Sequence, residues 1–121
     1  MNEITKIDNL VSLPNLNFLD LSQNKLTEIN PMPPIQHLRV LILGKNHIEA
    51  IKNLENLPAL DVLDLHDNRI TKLENLANLH SLRVLNLSNN QITVLDIPHP
   101  MKALHELNLR KNCISEIKEL D

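Results

Sequence analysis

The sequence predicts a solenoid of the α/β class: a horseshoe with a parallel β-sheet on its concave side and 3₁₀ or extended segments on its convex side. Three observations predict it. Segments beginning at Leu16, Leu38, Leu60, Leu82 and Leu104 share one pattern, L-x-x-L-x-L-x-x-N-x-apolar, at a spacing of 22 residues with no insertion. Within each segment the apolar residues first alternate, as in Leu63-Asp64-Leu65, which is a strand burying one face. The spacing then becomes three, as in Ile70, Leu73, Leu76, Leu79 and Leu82. A three-residue rhythm suits 3₁₀ turns, where i and i+3 eclipse, better than an α-helix.

Taken in order, the chain reads as a single domain over 1–121. It opens with half a repeat at 1–15, because Asn2, Ile4, Ile7, Leu10 and Leu13 match Asn24, Leu26, Ile29, Met32 and Ile35. Repeats starting at 16, 38, 60, 82 and 104 follow. Each strand is expected to lie beside its equivalent, about 4.7–4.9 Å away. About seven apolar side chains per repeat then share one core, and each stabilises by roughly 1.5–3 kcal/mol when buried. After each strand comes an asparagine: Asn24, Asn46, Asn68, Asn90 and Asn112. An amide offers both a donor and an acceptor to backbone groups that turn inward, so the five are expected to form a structural ladder. Two convex segments, Asn30-Pro-Met-Pro-Pro-Ile35 and Asp96-Ile-Pro-His-Pro-Met101, break the rhythm and are expected to be extended, since proline lacks the N–H of a turn. Pro31 to Pro34 reads as P-x-x-P, either a ligand for a proline-recognising domain or a braced connector plugged into the core. No polar cap closes either end, which suggests part of a larger scaffold or self-association through uncapped ends.

Composition excludes several functions. A net charge of −3 gives no basic field for nucleic acid or an anionic membrane. With Phe18 as sole aromatic, the chain lacks the stacking side chains of a direct RNA binder. Gly44 is the one glycine, so no glycine-rich phosphate loop exists; Gly44-Lys45 is followed by Asn46 and not by Ser or Thr. A single cysteine, Cys113, leaves no internal disulfide and suits a reducing compartment. There is neither an apolar run of membrane-spanning length nor a signal-peptide pattern after Met1, so no membrane association and a cytoplasmic location are expected.

The 22-residue pattern is similar to the intracellular leucine-rich-repeat subclass found in a regulatory subunit of protein phosphatase-1. More narrowly, the segments 38–46, 53–57, 60–66 and 82–87 resemble the leucine-rich-repeat subunits of the neuronal tubulin polyglutamylase complex. Gly44, Lys45, Asp61 and His66, which lie outside the repeat consensus, carry that likeness. It implies a noncatalytic scaffold in a microtubule- or cilium-associated assembly, located at the cytoskeleton or basal body, with subunits of a tubulin-modifying complex as partners.

Specificity is expected on the concave face, where columns of sequence become columns of surface. One column is Phe18, Val40, Val62, Val84 and Glu106; the next is Asp20, Ile42, Asp64, Asn86 and Asn108. His66 and Arg110 extend the candidate surface. An apolar strip with a polar rim suits a protein partner, while valine also has a plain reason to be there in its strand propensity. Asp20, Asp64 and Asp67 make the middle acidic and suited to a basic segment. Arg39, Asp61 and Arg83 alternate in sign and are expected to neutralise one another across strands. His66 beside Asp64 and Asp67 carries the side chains of a metal site, but neighbours on a flat strand do not converge, and solvated polar residues are the expectation. Cys113 is expected near the surface, without a base to activate it.

The functional expectation is a noncatalytic protein-binding scaffold or adaptor, with no cofactor and no metal. A phosphatase-regulatory subunit and a ribonucleoprotein-associated repeat protein are the alternatives. No nucleophile, base or metal cluster converges in the sequence to support an enzyme.

Overall fold

A computed structural model describes residues 15–97 and 101–119. The chain coils so that one short strand from each repeat joins a five-stranded parallel sheet: β1 (Phe18–Asp20), β2 (Val40–Ile42), β3 (Val62–Asp64), β5 (Val84–Asn86) and β7 (Glu106–Asn108), in that spatial order. The register follows the sequence repeat, with Leu19 opposite Leu41, Leu41 opposite Leu63, Leu63 opposite Leu85 and Leu85 opposite Leu107. Leucine at the middle of each strand points into the core, and its neighbours on either side face outward, as strand geometry requires. The rail of hydrogen bonds continues past the strand: Leu43 N–H donates to Asp64 O at 2.8 Å and Leu65 N–H to Asn86 O at 2.8 Å. The half-repeat expected at 1–15 lies outside the described residues but for Asn15.

The core is leucine and isoleucine with Met32. In the second repeat Leu38, Leu41, Leu43, Ile48, Ile51, Leu54 and Leu57 are all buried, the seven per turn that the spacing calls for. These side chains belong to one continuous cluster that runs through the repeats, so no turn has a core of its own.

The convex side differs from a run of 3₁₀ helix. No helix is assigned among the described residues. The three-residue rhythm is realised as separate i→i+3 turns: Leu57 N–H donates to Leu54 O at 3.2 Å and Leu60 N–H to Leu57 O at 3.3 Å, and the same pair of turns recurs at Leu76, Leu79 and Leu82. Between the asparagine and these turns lies a second parallel sheet, of β4 (Lys72–Leu73), β6 (Val94–Ile97) and β8 (Glu116–Glu119) in the order β4-β6-β8. Residues such as Ile70-Thr71 and Ile92-Thr93-Val94 are β-branched and stiff at χ1, which favours extended backbone over a helical turn. Thr93 N–H donates to Thr71 O at 3.1 Å, leading into that sheet.

The first proline segment is extended. Ile35 N–H bonds not to Met32 O but to Asn56 O in the next repeat, at 3.2 Å. Met32 and Ile35 are buried while Pro31 and Pro34 stay exposed. In the second such segment Val94–Ile97 is a strand, and residues 98–100 lie outside the described residues.

Candidate functional site

The turn that leaves each strand is built the same way five times. Gln23, Lys45, Asp67, Asn89 and Lys111 take the left-handed conformation, with φ between 54° and 58°, although none is glycine. This bend aims the next residue, the asparagine, back under the strand ends. Asn68 Nδ2 donates to Leu43 O at 3.0 Å, Leu65 O at 3.1 Å and His66 O at 3.2 Å, and its Oδ1 accepts from Ile48 N–H at 3.0 Å. Asn46, Asn90 and Asn112 repeat this network. Asn24 donates to Leu21 O at 2.8 Å and Ser22 O at 3.2 Å. Asn46, Asn68, Asn90 and Asn112 thereby each tie two adjacent turns of the solenoid.

The outward column beside the ladder has a structural function that the sequence reading missed. Asp20, Asp64, Asn86 and Asn108 each accept, through a side-chain oxygen, the N–H two residues on: Ser22 at 2.9 Å, His66 at 3.0 Å, Ser88 at 3.1 Å and Arg110 at 3.1 Å. Such turns are a standard use of Asp and Asn, and the i, i+2 spacing was visible in the sequence. Asp20 also accepts from Ser22 Oγ at 2.6 Å, and the two Ser22 bonds, side chain first, hold its carboxyl below the usual value against a smaller opposing effect of burial. Ile42 alone in this column cannot close the turn, and its half-buried side chain adds apolar surface instead.

Gly44 and His66 explain one another. The His66 ring lies over the Gly44 backbone, and a Cβ at Gly44 would collide with it. Asp64 Oδ1 meets His66 Nδ1 at 2.6 Å, and Asp67 Oδ2 lies 3.7 Å from Nε2. Two carboxylates and a histidine are thus brought together. Among the described residues no group of three or more His, Cys, Asp or Glu is arranged to hold a metal ion.

At the opposite end of the strands, Arg83 holds Asp61 in a bidentate pair, Nε to Oδ1 at 2.6 Å and Nη2 to Oδ2 at 2.9 Å, while Arg39 Nη2 reaches Oδ2 at 3.3 Å. The three charges do pair across strands. Asp61 is the enclosed member, 11% exposed against 65% and 57% for the arginines. The Arg83 hydrogen bond, then Arg83 and Arg39 charge, hold the Asp61 carboxyl below its usual value although burial opposes them, and Asp61 in turn raises Arg83. One carboxylate between two guanidinium groups leaves one positive charge on this edge.

Between these edges runs the apolar strip. Phe18 is opposite Val40, Val40 opposite Val62, Val62 opposite Val84, and Val84 opposite Glu106, where the strip ends. Phe18 is 56% exposed and the valines are half-buried. Arg110 and Cys113 are exposed. On the convex side a shallow cavity of about 410 Å³ lies between Asn53, Glu55, Asn75 and Asn78. Asn53 and Asn75 there form a second set of ties the sequence reading missed, donating to Ile29 O and Ile51 O at 2.7 Å, though their 22-residue spacing was legible.

A model described as leucine-rich repeats in two copies matches residues 36–78 and 80–121, and one described as a single leucine-rich repeat matches 15–34. The chain belongs to the leucine-rich-repeat family. Leucine-rich-repeat proteins commonly serve as protein-interaction scaffolds. Similar solved structures include the functional domain of InlJ from Listeria monocytogenes, which includes a cysteine ladder (26% identity, TM-score 0.77), and an internalin, InlF, from the same organism (25%, 0.77). The leucine-rich-repeat domain of APL1B is a third (27%, 0.74). They cover 99%, 99% and 92% of this chain, which spans 25%, 39% and 38% of theirs. No curated protein sequence matches significantly. Among the described residues of this leucine-rich-repeat chain, no helix is long and apolar enough to cross a membrane.

Proposed function

We propose that this chain is a noncatalytic protein-binding scaffold that engages its partner on the concave β-face, within a microtubule- or cilium-associated assembly that modifies tubulin. The observation that carries the concave face is the strip from Phe18 through Val40 and Val62 to Val84, widened by Ile42 and rimmed by charge. Rigid strands present it without ordering cost, and an apolar centre with a polar rim suits a protein surface. Asp20 and Asp64 carry internal hydrogen bonds, so the rim is already organised before a partner arrives. Support for the assembly comes from the likeness in Gly44, Lys45, Asp61 and His66, all of which make contacts between neighbouring repeats. No cofactor enters this reading.

Affinity purification of the tagged chain is the test. Tubulin-modifying enzymes are expected to co-purify with the wild type and to be lost from a variant combining Phe18→Ala, Val62→Thr and Asp64→Asn. Recovery of a phosphatase in their place would overturn the assembly; an unchanged set of partners with the variant would overturn the concave face.

A further inference from the structure

We propose that the convex segment Asn30–Ile35 is a preformed polyproline II ridge that docks an SH3-type domain, a second binding surface on the side opposite the concave strip. Every residue from 30 to 34 is either a proline or directly precedes one. Proline fixes φ near −65°, the residue before a proline is driven out of the helical region, and no turn forms over 30–35, so the run is extended backbone of the polyproline II type. The hydrogen bonds agree. Where the neighbouring repeats close i→i+3 turns at Leu54–Leu57 and Leu76–Leu79, here Ile35 N–H reaches across to Asn56 O in the next repeat. Asn56 Nδ2 then donates to Met32 O at 2.8 Å, so one asparagine clamps both backbone groups that the missing turn leaves open.

A polyproline II helix has three residues per turn and therefore three edges. One edge, Met32 and Ile35, is buried at 3% and 1% exposure, plugging the core. Of the remaining edges, Pro31 with Pro34 is exposed and Asn30 with Pro33 is half-buried. Those are the two edges an aromatic-lined groove reads, each pocket filled by one X–Pro pair, here Asn30-Pro31 and Pro33-Pro34. The residue between the pairs must point away from the groove, and Met32 does. The clamp and the buried edge hold the ridge in its bound shape, so docking incurs little of the ordering cost that a free proline peptide meets.

The full chain would be passed over an immobilised panel of SH3 domains and the affinity of the tightest measured by calorimetry. At least one domain is expected to bind, to be displaced by a proline-rich decapeptide that fills the same groove, and to bind at least tenfold more weakly when Pro31→Ala and Pro34→Ala are combined. The concave variant described above is expected to bind the panel as the wild type does, which separates this surface from the concave one. Capture of no domain, capture that the decapeptide does not displace, or an affinity unchanged by the proline substitutions would each overturn the proposal. The decapeptide arm uses the wild-type chain and so holds even if the substituted chain folds poorly.

Discussion

Asn68 serves four backbone groups with one side chain, and its bonds to Leu43 O, Leu65 O and Ile48 N–H are buried. Asn68→Ala is expected to destabilise by at least ~1–3 kcal/mol, the cost of leaving buried polar groups unsatisfied, read as a shift in the urea midpoint. Gly44 is a different case, because its φ is not positive and alanine is tolerated by the backbone itself. Gly44→Ala would displace the His66 ring from Asp64 and cost about 1 kcal/mol, the worth of that hydrogen bond. The same change in a His66→Ala background is expected to cost far less, and a double-mutant cycle without coupling would sink this account. Asp61 titrates below its usual value when folded, so its contribution is fully present above the ordinary value of 3.8 and is lost as pH falls through the lower folded value. Asp61→Asn should therefore flatten the loss of stability between neutral pH and acid, measured by urea unfolding along a pH series; Asp20, lowered for a different reason, keeps the remaining slope.

At the scale of the element, each strand of the five-stranded sheet is followed, three residues on, by a left-handed residue that is not glycine, a conformation costing about 1–2 kcal/mol for most side chains. Asparagine tolerates it best. Lys45→Asn is thus expected to stabilise by up to about 1 kcal/mol, with thermal unfolding as the readout. The proline segment gives the element its other lesson. The composition of Asn30–Ile35 made extension legible, yet the group that completes it, Asn56, stands 24 residues from Met32 and has no local reason to be there. Its equivalent one repeat later, Asn78, stands beside a turn already closed from Leu54 to Leu57. Asn56→Ala should accordingly destabilise by ~1 kcal/mol and Asn78→Ala by much less, because only the first removes the partner of a carbonyl that no turn closes.

The whole molecule is held by contacts between neighbouring turns, so the depth of a residue in the stack decides what it is worth. Leu63 is fully buried and Leu107, its equivalent two repeats on, is only partly so. Leu63→Ala is expected to cost ~2–5 kcal/mol and Leu107→Ala clearly less, although the two residues hold the same position in the repeat. Equal losses in chemical denaturation would mean that the stack does not share its core in this way. The proposed binding surface belongs to this scale as well, since the strip from Phe18 to Val84 exists only when four strands lie side by side.

The repeat period, the strand register, the core leucines and the pairing of Arg39, Asp61 and Arg83 were all legible in the sequence. A period of 22 with no insertion places equivalent residues side by side whatever the details of the turn. Local chemistry was legible in principle too, as the i, i+2 turns of Asp20 and Asp64 show, because both partners lie in one short segment. Contacts between repeats at positions outside the consensus were not. Only the folded chain lays His66 over Gly44, sends Asn56 to the proline segment and turns the three-residue rhythm into separate turns beside a second sheet. Each of these depends on which side chain happens to stand one turn away, and periodicity describes what repeats share, not how two particular residues fit.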